Sequence, residues 1–507
     1  MTGLHRTPLT TSQKVEFAAV ALAGQEVHGV VSGLSREFGI SRPTVYGARA
    51  VAEEVLRQHF EKDEGQHQAV RVTVDEAQLL RTIVALRVMA PNAIRPIEEL
   101  LPIVYPGVRL SYGKVQSILA QAEEAAKRFN ETVDLSAITV SALDEMFSQG
   151  DPVLGGVDLA SGYLFALQLR ETRSGEDWAQ VLNQSKAQGA ELSVVVKDSA
   201  RGIEAGVREV FPQAEQRDDC FHVLYELNKM RRRLEQRAYG AISAEQEAEG
   251  ALRKIRARDQ DQRREHKRRL VRAGQRCREA IERFDTFEGA LKQVREAMEY
   301  VDLGSGQLRS GEQVQHLMQQ AAVSIAGIDD RDSAKLARYV RNRAPGVSLA
   351  STALHTRLQD LSRAYPEHAV AMACVLWRRV KELQNTPAWS KPKHRRALLG
   401  ALAWLKSQLG AAATDELLQR VKQHLDTRYR ASSAIEGFNA ALRPYLYVHK
   451  GVTQNFLELF RAWYNLRTRR WGRHKGTSAH ACISGTPAED WLTLLGYPPS
   501  PSLHQAL

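Results

Sequence analysis

The chain has 507 residues, enough for three or four domains at roughly 150 residues each. It carries 70 Lys and Arg against 59 Asp and Glu, a formal net charge of +11, and its 43% of apolar residues exclude a largely disordered chain. Its four cysteines form no closely spaced pair, and no apolar run approaches the ~20 residues of a membrane span. The N-terminus shows no signal-peptide pattern. We therefore expect an intracellular protein without a membrane partner, and the basic charge suggests a polyanionic one.

The first sixty residues predict short helices that include a helix-turn-helix. A helix over 12–23 would end at Gly24, Gly39 would lie in a tight turn, and Ser41 would cap the following helix. Four apolar residues have the spacing to form a small core: Leu34, Phe38, Ile40 and Val45. The second helix would then present four side chains to DNA: Arg42, Thr44, Tyr46 and Arg49. A generic helical hairpin would show a similar pattern, so DNA binding is a hypothesis here.

Helices are also predicted over 75–88, 97–105 and 111–129. The last of them follows a break at Pro106-Gly107 and a capping residue, Ser111. Residues 61–135 thus form a second helical domain after the helix-turn-helix domain of residues 1–60. It could bind DNA or act as a structural spacer.

The periodicity changes to that of strands at residue 138. Strands are predicted over 138–144, 153–159, 163–169, 192–198 and 214–223, with helices over 176–187 and 203–211. The order is three strands, helix, strand, helix, strand. This order predicts an α/β unit, residues 136–223, whose fourth strand lies parallel to its first. Strand signals then largely vanish, which predicts an all-helical segment over 224–430.

Two acids, Asp144 and Asp198, end neighbouring strands of this predicted sheet. Strand ends of this kind open onto one crevice, so that both carboxylates can face the same point. Hard divalent cations prefer oxygen ligands, and a pair of ions needs more than two carboxylates. The best candidate for a third is Glu436, at the start of a predicted helix in the closing segment, residues 431–507.

Four motifs in this order resemble bacterial DDE-type insertion-sequence transposases: Leu143-Asp144-Glu145, Lys197-Asp198-Ser199, Asp219-Cys220-Phe221-His222-Val223 and Ile435-Glu436-Gly437-Phe438-Asn439. The resemblance implies a multidomain α protein with an RNase H-like mixed-sheet core, interrupted by a large all-helical insertion before the glutamate. It also implies that Asp144, Asp198 and Glu436 hold two Mg²⁺ ions, for which Mn²⁺ can substitute. His222 would lie near the scissile phosphate, or it is a core residue.

The implied function is binding of terminal repeats, DNA cleavage and strand transfer. The partners would be double-stranded DNA, from element ends and target, and a second subunit in a homodimer. The place of action would be the nucleoid in the bacterial cytoplasm. One alternative is a non-catalytic DNA-binding protein, either a regulator or a domesticated transposase. Another is an RNase H-like nuclease or resolvase without strand transfer.

Several neighbouring residues need a structural explanation. We expect Asp158 to shape a hairpin turn, Glu145 to face away from Asp144, and Cys220 to lie in the core. Asp218 and Asp219 could be spare ligands, but a solvated strand edge explains them more simply. In the helical segment, Arg231, Arg232 and Arg233 could contact the DNA backbone or belong to a solvated face. Near the C-terminus, Trp463, Tyr464 and Trp471 could stack on bases, or Trp463 could pack against the sheet.

Overall fold

The computed structural model describes residues 10–24, 27–66, 75–198, 200–387, 390–429, 433–448 and 451–499. They belong to two compact units, Met1–Asp75 and Glu76–Leu507. Among the described helices, none has both the length and the apolar character needed to cross a membrane. The predicted five-part division stays a prediction, although its first boundary, residue 60, falls within a continuous helix of the first unit.

The first unit contains the predicted helix-turn-helix. Its helices are α1 (Thr11–Ala23), α2 (Val30–Glu37) and α3 (Arg42–Gln66). Gly39 has φ = 62° in the turn between α2 and α3, a conformation that disfavours any residue with a Cβ atom. The side chain of Ser41 accepts the backbone N–H of Thr44, which caps α3. The predicted core is confirmed: Leu34 and Val45 are buried, with Phe38 and Ile40 packed against them.

The second unit is built around one five-stranded mixed sheet. Its strands are β1 (Val140–Ser148), β2 (Asp151–Asp158), β3 (Leu164–Leu169), β4 (Val194–Lys197) and β5 (Glu215–Asp218). The spatial order is β3-β2-β1-β4-β5. The first three strands pair antiparallel, whereas β4 pairs parallel with both β1 and β5. The predicted order of elements and the parallel pairing of the first and fourth strands are therefore confirmed.

Two strand boundaries differ from the prediction. β1 continues beyond Asp144 to Ser148 because β2 pairs with it along that whole length. Asp144 is consequently a mid-strand residue, although β4 ends at Lys197 beside Leu143, so Asp144 still lies next to the end of β4. β5 ends at Asp218 rather than at 223, because Asp219 caps a helix that begins at Cys220.

Helices cover both faces of the sheet. On one face lie α7 (Gly175–Ala187) and α8 (Arg201–Val210), whose apolar side chains share a core with Leu143, Leu154 and Val195. On the other lie α16 (Ser433–Val448) and α17 (Gln454–Leu466), which share a core with Ala142, Met146 and Val196. Successive residues of β1 point to opposite faces, so that Asp144 is on the side of α16.

Three helices before the sheet belong to the core on the α16 side. They are α4 (Glu76–Met89), α5 (Ile94–Val104) and α6 (Tyr112–Thr132). Ile83, Ile97 and Ile118 from these helices lie in the same buried cluster as Phe438 and Phe460. Residues 76–132 of the region predicted as a second helical domain are thus built into the unit that contains the sheet, which favours the structural alternative over a separate DNA-binding module.

The segment between β5 and α16 is helical where it is described, as predicted, apart from its connecting turns and one isolated β-bridge between Val301 and Leu308. Its helices are α9 (Cys220–Arg253), α10 (Gln260–Ala297), α11 (Gly311–Ala326), α12 (Ser333–Leu361), α13 (Glu367–Asn385), α14 (Lys391–Leu409) and α15 (Ala411–Asp426). The first four share one apolar core. The end of α12 and the remaining three share a second core. Two short helices, α18 (Ala479–Ser484) and α19 (Trp491–Leu494), follow α17.

The edge strand β3 is covered by polar side chains of α17. Asn465 accepts from the backbone N–H of Leu164 and donates to its carbonyl oxygen, and Arg461 donates to the same oxygen. Gln454 accepts from the N–H of Leu169. These bonds satisfy groups that would otherwise be open to pairing with another chain. They also place Trp463 and Tyr464 in the core, which overturns base stacking by these two residues, while Trp471 is 79% exposed.

Candidate metal centre and DNA-binding surfaces

Asp144 is held by two hydrogen bonds that fix both carboxylate oxygens. The backbone N–H of Glu145 donates to Oδ1 at 2.8 Å, and Nδ2 of Asn439 donates to Oδ2 at 2.7 Å. Asn439 reaches Asp144 because α16 packs closely over β1 and β2. Gly155, which pairs with Asp144 across the strands, permits this approach: a Cβ atom there would lie 3.0 Å from the ring of Phe438.

Asp198 follows β4 and faces the same point as Asp144. Its Oδ1 accepts the backbone N–H of Ala200 at 2.8 Å, just before α8 begins. Ligand atoms of Asp144, Asp198 and His222 all lie within 4.8 Å of one another. The structure therefore brings together three of the four residues predicted for the catalytic site. Ser199, the last residue of the quoted motif, lies outside the described residues.

His222 lies in the first turn of α9 and not on a strand. Asp219 organises this turn: its carboxylate accepts the backbone N–H of Phe221 at 2.9 Å, and its Oδ2 lies 2.7 Å from Nδ1 of His222. A carboxylate on one ring nitrogen fixes the orientation of the imidazole and directs the other nitrogen outward. Cys220 is buried, as predicted.

The electrostatics of the cluster follow from burial and from the neighbouring charges. Burial raises the pKa of Asp144 to about 6, against the two hydrogen bonds to its carboxylate, and the negative charge of Asp198 acts in the same direction as burial. The hydrogen bond that the ring of His222 makes to the carboxylate of Asp219 raises the pKa of His222 to about 9 despite partial burial of the ring. A buried carboxylate beside a second carboxylate is the environment that a divalent cation stabilises.

Glu436 lies in the first turn of α16 and is half-buried. Among the described residues, the cluster of ligand atoms within 4.8 Å of one another contains Asp144, Asp198 and His222 but does not include Glu436. It precedes Asn439 by one helical turn, so both side chains leave the same face of α16. Its assignment as the third ligand stays a prediction. The sequence did not indicate that Asn439 contacts Asp144, although Asn439 ends the quoted Ile435–Asn439 motif.

The neighbouring acids have structural partners. Asp158 accepts both the N–H and the hydroxyl of Ser161 and so shapes the turn before β3, as predicted. Glu145 faces away from Asp144, also as predicted: Arg173 donates to it at 2.7 Å and the indole of Trp178 at 3.1 Å. The interpretation of Asp218 and Asp219 as a solvated strand edge is wrong, because both are buried.

Asp218 belongs to a buried ionic cluster that the sequence did not reveal. Nζ of Lys197 lies 2.8 Å from Glu204 and 3.3 Å from Asp218, and the guanidinium of Arg343 lies 3.0 Å from Asp218. Lys197 and Asp218 directly precede Asp198 and Asp219, while Arg343 comes from α12. The cluster therefore ties the helical insertion to the strand ends that carry the candidate metal centre.

The residues predicted to read DNA lie near the N-terminal end of α3. Arg42, Thr44 and Tyr46 are exposed, and Arg49 is half-exposed. The hydroxyl of Thr44 is 2.7 Å from that of Ser41, so it also contributes to the cap. The structure leaves this end of the helix open, and the role of these residues in DNA binding stays a prediction.

The three consecutive arginines of α9 differ in their surroundings. Arg231 pairs with Glu288 of α10 at 2.8 Å and with Glu235 at 3.3 Å. Arg233 pairs with Asp330 and Asp332, which connect α11 to α12. Arg232 is exposed. Two of the three therefore join helices within the insertion, and their contact with DNA stays a prediction that these ion pairs weaken.

The match to a known family covers the middle of this architecture. Residues 159–348 match the DDE_Tnp_ISL3 family, described as a transposase. The resemblance to DDE-type transposases is confirmed. The matched stretch runs from the turn before β3 into α12 and contains Asp198, His222 and Arg343, whereas Asp144 and Glu436 lie outside it.

Two further comparisons add little to this match. The chain is similar to the Drosophila P element transposase strand transfer complex at 14% identity and a TM-score of 0.24, over 80% of this chain and 100% of the other. A TM-score this low does not establish a shared fold. No match was found among curated protein sequences.

Proposed function

We propose that this protein is a DNA transposase that cuts the ends of a mobile element and joins them to target DNA. The observation that carries the proposal is the convergence of Asp144, Asp198 and His222 within 4.8 Å. They converge at the centre of a mixed sheet, in a chain whose residues 159–348 match a transposase family. Phosphodiester cleavage of this type uses two hard cations and needs no covalent intermediate with the protein.

The residues present fit a divalent cation. Two carboxylates lie within ligand distance of each other, and the buried Oδ1 atom of Asn439 accepts no hydrogen bond from the described residues. We propose that Asp144, Asp198 and Glu436 hold two Mg²⁺ ions, or Mn²⁺ in their place. When bound, such ions activate an attacking oxygen and stabilise a leaving one. Asn439 and the N–H of Glu145 would orient Asp144, and Asp219 would orient His222 toward the scissile phosphate.

The N-terminal unit would recognise the terminal repeats of the element. A helix-turn-helix places its second helix in the major groove, and the exposed side chains at the start of α3 would contact base edges there. The partners would be element-end and target DNA as double strands, with a homodimer holding two ends. The place of action would be the bacterial nucleoid.

Arg42→Ala is expected to weaken binding to the terminal repeat by about 1–3 kcal/mol, with little change on random DNA, because a base contact is lost. The measurement is affinity for both DNAs at one salt concentration. Arg57→Ala is a matched control, since Arg57 is an exposed arginine of the same helix that pairs with Glu53 and Glu54. Equal losses on both DNAs would make Arg42 a phosphate contact.

The function is tested by incubating the full chain with Mg²⁺, a supercoiled target plasmid and linear DNA taken from both sides of the gene. We expect free 3′-hydroxyl ends at the element boundaries and their covalent attachment to the plasmid, seen by sequencing the junctions. Binding without cleavage would identify a non-catalytic DNA-binding protein. Cleavage without joined products would identify a nuclease or resolvase.

A further inference from the structure

Two aromatic side chains are exposed beside the candidate metal centre. Phe221 and Tyr225 lie one turn apart on α9 and are 45% and 48% exposed. Their rings stack, with centroids 6.3 Å apart and an interplanar angle of 21°. Phe221 directly precedes His222, and the two rings meet edge to face at 5.8 Å. We call Phe221 and Tyr225 the aromatic pair.

The aromatic pair is not part of the core of the insertion. α9 packs into that core through Val223, Leu227 and Met230, which are on a different side of the helix. Because the two rings are exposed, the folded protein lacks the favourable free energy that their burial would contribute. A binding partner that covers the rings would gain this free energy.

The surface beyond the aromatic pair is charged and concave. Nζ of Lys229 lies 4.5 Å from the centroid of the Tyr225 ring and pairs with Glu226. Lys229 also lines a cavity of about 380 Å³ between α9 and α12, whose charged lining comprises three cations, Lys229, Arg233 and Lys335, and two acids, Glu226 and Asp332. From His222 outward, α9 thus presents two stacked rings, then Lys229 beside the ring of Tyr225, and then a cavity lined by three cations and two acids.

The order of these groups along α9, aromatic rings followed by a lysine, matches the bases and phosphates of a single DNA strand. Aromatic faces stack on bases of any identity, and lysines next to them attract the backbone phosphates. Bases within a duplex are already stacked on their neighbours, so only an unpaired base can offer its face to a protein ring. The position beside His222 selects a base close to the phosphate that the metal centre would attack.

We propose that Phe221 and Tyr225 are a stacking platform for one unpaired base of the strand being cut. The proposal rests on the proposed function, because it takes DNA as the substrate of the adjacent acids. The platform positions the scissile phosphate by holding the base next to it. Lys229 then lies where the next phosphate of that strand passes.

The test couples a change in the protein to a change in the DNA. Phe221→Ala and Tyr225→Ala are each expected to slow cleavage of end DNA by about 5-fold to 150-fold, the range for loss of one stacked base. The conservative variants Phe221→Tyr and Tyr225→Phe keep a ring and should retain activity. Tyr239→Ala is the matched control, an exposed tyrosine further along the same helix, 65% exposed, and should cleave normally.

The matching change in the DNA is an abasic site, placed in turn at each position flanking the cut in end DNA. At the position that the platform holds, wild type and the alanine variants should cleave at rates within about 2-fold of each other, since the contact is already lost. A 2-aminopurine at the same position should report stacking by a fluorescence change that wild type causes and the alanine variants do not.

The outcomes separate the platform from the function. Suppose that wild type cleaves, but the alanine changes and the abasic sites have additive effects on the cleavage rate at every position. This result would overturn the platform and leave the transposase proposal intact. The alanine variants could instead change oligomeric state while their effects on cleavage are independent of every abasic site. This result would assign the aromatic pair to a contact between two copies of the chain and would also overturn the platform. Failure of wild type to cleave would instead count against the proposed function.

Discussion

Asp144→Asn and Asp198→Asn are each expected to reduce cleavage of end DNA by about 1,000-fold or more, because a lost ligand removes several kcal/mol of metal-dependent transition-state stabilisation. Binding to end DNA should stay within about 2-fold of wild type, since the residues proposed to read DNA belong to the N-terminal unit. Cleavage is measured in single-turnover assays with Mg²⁺ and with Mn²⁺. Binding is measured with Ca²⁺ in their place.

The series also decides the third ligand. Glu436→Gln should have the same effect as the two aspartate changes if Glu436 holds an ion. Asp151→Asn is the matched control, since Asp151 is an exposed acid at the start of β2 in the same sheet, and it should cleave normally. Near-normal strand transfer by Glu436→Gln would contradict its assignment. Loss of activity in Asn439→Ala is expected in either case, since Nδ2 of Asn439 holds the carboxylate of Asp144.

Lys197→Met is expected to lower the free energy of unfolding by about 3–5 kcal/mol at pH 7, because it leaves two carboxylates of a buried cluster without their main cation. The side chain of Lys197 is only 4% exposed, and it contacts both Glu204 and Asp218. Arg343 would then be the cation nearest to Asp218, and Glu204 would keep only the weaker charges of Arg343 and Arg208. The measurement is urea unfolding of the full chain, followed by the fluorescence of its tryptophans.

The loss of unfolding free energy in Lys197→Met should be smaller at acidic pH. The pKa of Glu204 is lowered in the folded protein: partial burial opposes the shift, but the hydrogen bond and charge of Lys197 outweigh it together with the charges of Arg343 and Arg208. A carboxyl group with a lowered folded pKa contributes stability that is complete above its unfolded pKa, about 4.5, and is lost as the pH falls through the folded value. The difference between wild type and Lys197→Met should therefore narrow as the pH is lowered through this range.

The control for this prediction is Lys292→Met, which changes an exposed lysine of α10. Surface changes of this kind alter stability by about 0.5 kcal/mol or less. A loss for Lys197→Met as small as that of the control would mean that solvent or local rearrangement compensates Glu204 and Asp218. The ionic cluster would then have no role in fixing the insertion to the sheet.

The local sequence determined most of the element order. Short, mostly apolar segments bounded by turn residues predicted the five strands, and the turn and cap residues Gly39 and Ser41 predicted the helix-turn-helix, because these signals act over a few neighbouring residues. The order of the strands also predicted that Asp144 and Asp198 meet. Parallel neighbours bring their ends together whatever the intervening chain does, and the two acids are within ligand distance in the structure.

Only the tertiary structure decided the surroundings of these residues. The pairing of β1 with β2 placed Asp144 in mid-strand, and a cap by Asp219 turned the predicted end of β5 into the first turn of α9. In the sequence, Arg231 and Arg233 cannot be distinguished from solvent-exposed basic residues, because their acidic partners Glu288 and Asp330 lie far along the chain. The ionic cluster of Lys197, Asp218 and Arg343 joins residues distant along the chain, and burial makes each of them depend on the others. Such long-range partners leave no periodic signal in the sequence, and they decide which charged residues form ion pairs within the protein and which remain exposed.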